Sequence, residues 1–146
     1  MTRASQTTGV QKQASFKRAF ESISEYREQK NYIAAYVVTF SVIEDRLRAL
    51  YVDWYRVKKG EEPKQKQIDG PFSGLVKTLS KDGTISSELA TELIAEARRR
   101  NSLMHSAMWN LDNFTEEVIV EALKIARSIN NAGRRGKNML RKENAK

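Results

Sequence analysis

The chain has 146 residues, 40% of them hydrophobic and 30% charged, which suits one domain with a real core and a well-solvated surface. It has no cysteine and one histidine, which argues against a disulfide framework, a cysteine nucleophile, and zinc or other histidine-rich metal sites. The formal charge is +8; residues 134–146, "RRGKNMLRKENAK", carry six Lys or Arg against one Glu and hold most of that excess.

Residues 1–13 are polar and read as a disordered N-terminal segment; they lack the apolar stretch of a signal peptide. From Ser15, Phe16, Phe20, Ile23 and Tyr26 recur at helical spacing, so a helix is predicted to end near Lys30. Asn31 is placed to cap a second helix with the stripe Tyr32, Tyr36, Phe40, Ile43, Leu47, Leu50 and Trp54. That helix could reach Lys58, roughly 40 Å at ~1.5 Å per residue, and form the spine of a bundle. Residues 58–71, "KKGEEPKQKQIDGP", read as a loop. "FSGLVKTLS" reads as a short helix and "KDGT" as a turn, after which Ser86 or Ser87 can cap a helix whose stripe is Leu89, Leu93, Ala97, Met104 and Met108.

"NLDNFTEE" breaks that helix, and Asn113 followed by Glu116 has the spacing of a capping box. The last predicted helix buries Phe114, Val118, Ala122, Ile125 and Ile129, and Gly133 is a good stop. No strand-like alternation and no repeat appear. The expectation is an all-α bundle of four to five helices with a long second helix over residues 14–133, followed by a basic C-terminal tail at 134–146. Such a tail either contacts phosphate backbones or simply solubilises the chain. No apolar run has membrane-spanning length, and the expected location is cytoplasmic.

The stretch "RRRNSLMHSAMWN" at residues 98–110 poses the functional question. With ~100° between successive helical residues, Arg100 falls on the apolar side, between Leu93/Ala97 and Met104. A guanidinium there needs an acidic partner, an anion, or a helix end that lets it reach water. Asn101 and His105 are four residues apart and share a second face. A lone helical histidine is most often an ordinary surface or core residue, so spacing alone leaves catalysis the minority reading.

The six residues "RNSLMH", Arg100 to His105, resemble the Arg-x4-6-His motif of HEPN domains (higher eukaryotes and prokaryotes nucleotide-binding), including the asparagine after the arginine. The context is similar: a long helix "YVVTFSVIEDRLRALY" with a mid-helix acidic residue, a loop and short helix, the motif helix, and one more helix. The resemblance covers roughly residues 15–131. It implies a metal-independent endoribonuclease without cofactor, of the kind found among toxins and anti-phage defence effectors, with Arg100 and His105 catalytic and Asn101 their polar companion. It also implies RNA as partner and a homodimer with a composite site at its interface. A neutralising antitoxin protein would accompany a toxin. Some family members have lost activity and act as RNA-binding or regulatory modules, which is the alternative reading. A nucleotide-binding helical domain is weaker, because no Gly-rich phosphate loop is present.

RNA carries its own nucleophile, the 2′-hydroxyl, and its cleavage needs a base, an acid and a cation. Imidazole suits the proton transfers near neutrality, and a guanidinium fork suits the phosphorane. Of the mid-helix carboxylates, Glu44 lies at the stripe edge and Asp45 roughly opposite. Glu44 either holds the Arg100 fork or pairs with Arg48 at i+4, the latter slightly favoured. Arg98 and Arg99 either guide the RNA backbone or favour the helix dipole. Trp109 either stacks a base or caps the core, with the core the default.

Overall fold

A computed structural model describes the backbone of residues 9–144 and the side chains of residues 14–135. The described residues form six α-helices: α1 (Gly9–Glu28), α2 (Tyr32–Lys59), α3 (Gln65–Ile68), α4 (Phe72–Lys81), α5 (Ser87–Ser106) and α6 (Glu116–Asn144). A 3-10 turn, Leu111–Asn113, joins α5 to α6. No strand occurs among them, so the fold is all-α with a long second helix, as the periodicity predicts.

The helix starts follow local chemistry. Asn31 accepts the Ala34 N–H through its Oδ1 and opens α2, while the Ser86 hydroxyl accepts the Leu89 N–H and opens α5. α2 closes on Gly60, whose φ of 67° is the left-handed conformation that glycine adopts without steric cost.

α2 is the spine, and α6, α1 and α4 all pack against it; α4 and α5 form a hairpin. Its core residues Tyr36, Ile43 and Leu47 meet Leu79, Leu93, Ile119 and Ile129 in one fully buried cluster. An arginine ties the connection before α4 to the spine. Arg48 donates to the Ile68 and Gly70 carbonyls and, at 3.1 Å, to Glu44.

Several expectations are corrected. α1 already begins at Gly9, inside the segment read as disordered; residues 1–8 lie outside the described residues. Residues 65–68, read as loop, make one helical turn, which brings the count to six. The cap of α6 is Thr115, whose hydroxyl accepts the Val118 N–H, and Asn113 belongs to the 3-10 turn instead. Gly133 does not stop α6, which continues to Asn144 through most of the segment read as a tail. A helical glycine costs only about 1 kcal/mol relative to alanine, less than the packing of Ile125, Ala126 and Ile129 contributes just before it.

Candidate functional site

α5 divides at Ala97. Before it, Leu89, Ala90, Leu93 and Glu96 are buried against the bundle. Beyond it, only Leu103 is buried, and Arg100, Asn101, Met104 and His105 are all exposed. On this half the cover narrows to Leu103 and the partly buried Ala107, and Met104, at the edge of the stripe, lies outside it. Met104 and Met108, expected in the core, are exposed: Met104 at 39%, and Met108, in the turn past the end of α5, at 86%.

The three arginines have three environments. Arg98 is exposed. Arg99, expected to be solvated or RNA-guiding, is instead the structural one: it joins Glu96 at 2.5 Å and also pairs with Glu121 of α6. Glu96 is the buried anchor of this set, only 2% exposed, and the Tyr36 hydroxyl donates to it at 2.7 Å. A buried carboxylate is tolerable only with such partners. Burial and the adjacent Glu96 anion push the Tyr36 phenol far above its ordinary value. Burial opposes the charge on Arg99, but hydrogen bonds to Glu121 and Glu96 outweigh it and raise the guanidinium further. The same bond from Arg99 holds the Glu121 carboxyl below its usual range. The network thus fastens α5 to α2 and α6 immediately before the exposed turns.

Arg100 has no such partner. Among the described residues no carboxylate lies within 4.0 Å of it. Its guanidinium carbon sits 5.4 Å from the centre of the Phe40 ring, and Nη1 donates to Asn101 Oδ1 at 3.2 Å. Phe40 is itself held between Tyr36 and Phe72, with ring centroids at 6.4 and 5.6 Å. The inward lean expected from the helical wheel is therefore answered by an aromatic face, a cation–π seat that leaves the charge unneutralised.

Glu44 pairs with Arg48, so the clamp on Arg100 is not made in this structure. Asp45 pairs with Arg46, which lies over Phe16 of α1 at 4.1 Å. His105 is exposed on the last turn of α5, one turn beyond Asn101. Trp109, expected in the core, is 83% exposed.

Sequence reasoning missed Glu96, Tyr36 and Phe40 as the groups that set this site. Glu96 had a signal: it is a carboxylate on the same stripe as Leu89 and Leu93, three residues before Arg99. Phe40 had none, because its meeting with Arg100 is a tertiary contact between α2 and α5.

A cavity of about 700 Å³ lies at the opposite end of α5, lined by Trp54, Asp82, Ser86, Leu89 and Ala132 among others, and none of the arginines 98–100, Asn101 or His105 reaches it. Among the described residues no three His, Asp or Glu side chains are grouped to hold a metal ion, and no helix is long and apolar enough to cross a membrane. No family model matches the chain, and no curated protein or solved structure matches it.

Proposed function

We propose that this protein is a metal-independent endoribonuclease that cleaves single-stranded RNA by attack of the 2′-hydroxyl on the adjacent phosphorus. The observation that carries the reading is the contrast within one helix turn: Arg99 is neutralised by two carboxylates, whereas Arg100 keeps a free charge beside Asn101, with His105 a turn further on the exposed surface. The resemblance of "RNSLMH" to the HEPN motif supplies the reaction class.

In this mechanism the Arg100 fork stabilises the dianionic phosphorane. One neutral imidazole takes the 2′ proton as the 2′ oxygen bonds to phosphorus. One imidazolium donates a proton to the 5′ oxygen as its bond to phosphorus breaks. The products are a 2′,3′-cyclic phosphate and a 5′-hydroxyl. Asn101 steadies the guanidinium it already contacts. One chain has one histidine and the reaction has two proton transfers. Two chains pairing their α5 ends about a two-fold axis would supply both imidazoles. Such an activity fits a toxin or defence effector in the cytoplasm, restrained by a neutralising partner protein.

The test is incubation with single-stranded RNA in excess EDTA. The reading expects cyclic-phosphate ends, lost in His105→Ala, and loss of activity when the dimer is separated into monomers. Full activity in isolated monomers contradicts the composite site. The basic helical extension of α6, residues 134–144, favours a second reading as a non-catalytic RNA-binding module. That reading expects binding without cleavage, abolished by deleting 134–146.

A further inference from the structure

Arg100 rests on Phe40, with 5.4 Å from its guanidinium carbon to the ring centre. The acids of α2 that were candidates to clamp it are engaged elsewhere, Glu44 with Arg48 and Asp45 with Arg46. The ring itself has little freedom. Phe40 is 6% exposed and lies between Tyr36, stacked with ring centroids 6.4 Å apart, and Phe72, at 5.6 Å. Tyr36 is fixed in turn by its hydroxyl, which donates to Glu96 at 2.7 Å, and by an edge-on contact with Phe114 at 5.8 Å. Phe72 opens α4, and Arg48 ties the connection before it to α2 through the Ile68 and Gly70 carbonyls. The buried Glu96 network and the Phe40 ring are therefore one continuous frame, and Arg100 is the last group on it.

The two ways of holding an arginine differ in what they leave free. A carboxylate takes the N–H donors of the fork and cancels its charge, as Glu96 and Glu121 do for Arg99. An aromatic face attracts the cation through the ring quadrupole and uses none of those donors. One Arg100 donor reaches Asn101 Oδ1 at 3.2 Å, and among the described residues no carboxylate lies within 4.0 Å of the others. A guanidinium so held is aimed and still charged, which is what a developing phosphorane dianion requires of it.

We infer that Phe40 is a positioning residue for RNA cleavage: its ring sets where the Arg100 guanidinium stands, and so how well it meets the phosphorane. The inference rests on the ribonuclease reading for the reaction itself. Phe40 touches no substrate and acts through Arg100 alone. Removing the ring leaves the positive charge that attracts RNA but loses its aim. The loss therefore falls on kcat rather than on KM.

The experiment is steady-state cleavage of single-stranded RNA in excess EDTA by the full chain. Phe40→Leu, Arg100→Ala and the double variant are compared with wild type at equal folded fraction. Phe40→Leu should lower kcat roughly 10- to 100-fold, the usual cost of misplacing a reacting group, with KM within about threefold. In the Arg100→Ala background the same change should alter kcat by less than about twofold, because the group it positions is gone. A buried ring also supports the core, so a second set of variants keeps its shape. Phenylalanines carrying one, two and three ring fluorines in place of Phe40 weaken the π-face stepwise. Their kcat should fall in step, about two- to fivefold by the third fluorine, and the series should be flat in Arg100→Ala. This series decides alone where Phe40→Leu does not fold. Equal losses from Phe40→Leu with and without Arg100, a loss confined to KM, or a flat fluorine series on the wild-type background overturns the inference. Each returns Phe40 to an ordinary core residue and leaves the ribonuclease reading in place. No cleavage by the wild type removes that reading and the positioning role with it.

Discussion

The two halves of α5 share one apolar stripe and treat it in opposite ways. In the first half the stripe meets the bundle, and its single acid, Glu96, is enclosed and matched by Tyr36 and Arg99. In the second half only Leu103 is still buried, and beside it lie an arginine over Phe40, a partly exposed methionine and, one face away, an exposed histidine. Adjacent residues of identical type, Arg99 and Arg100, fall on either side of this change. The contrast teaches that residue type does not decide whether a charge is structural or available; the side chains that neighbouring elements bring to it do, carboxylates for Arg99 and the Phe40 ring for Arg100.

The sharpest way to break the comparison is Arg99→Met, which leaves the Glu96 carboxylate buried with only Tyr36. We expect a loss of about 3–5 kcal/mol in urea denaturation, the cost of removing one partner from a buried pair. A loss below about 1 kcal/mol would show that Glu96 finds water or takes up a proton instead. Tyr36→Phe removes the other partner while keeping most of the ring's packing, so a loss of about 1.5–3 kcal/mol is expected, read in the same way.

Acid sharpens the comparison further. Arg99 lowers the Glu121 carboxyl in the folded state relative to the unfolded one. Its contribution is therefore present above the ordinary glutamate range, about pH 4.3, and is lost as pH falls through the lower folded value. Wild type should lose stability over that window more steeply than Arg99→Met, and equal slopes would remove the ion pair from the account. The smallest effect belongs to Glu44→Ala. The Glu44–Arg48 pair is partly exposed and Arg48 keeps its two carbonyl partners. Stability should change by no more than about 0.5 kcal/mol, with cleavage unchanged; lost cleavage would restore Glu44 to the site.

Much of the fold was legible because burial along α2 and α6 is periodic. Tyr36, Phe40, Ile43, Leu47 and Leu50 are buried as the spacing predicts, as are Ala122, Ile125 and Ile129. Asn31 was legible as a cap, and Ser86 as one of two candidates with Ser87, because a side-chain oxygen there reaches a free N–H locally. The site was half legible. The helical wheel placed Arg100 on the stripe and Asn101 with His105 beside it, all local geometry. It put Met104 and Met108 in the core because periodicity alone fixes neither the edge of the covered stripe, where Met104 lies, nor the end of α5 at Ser106, which leaves Met108 in a turn. It also grouped Arg99 with Arg98, when Tyr36 and Glu121, far away in sequence, make Arg99 part of the frame. Gly133 misled because glycine is only a weak helix breaker when the preceding turns are firmly packed.

The central claim is that the exposed half of α5 does chemistry while the covered half holds it in place. The most direct measurement is the rate of single-stranded RNA cleavage in EDTA by Arg100→Ala relative to wild type, at equal folded fraction. The account predicts a fall of about 10²- to 10³-fold, the usual effect of removing one group that stabilises transition-state charge, with unfolding stability within about 0.5 kcal/mol of wild type. Cleavage by Arg100→Ala at the wild-type rate, or no cleavage by the wild type itself, would contradict it.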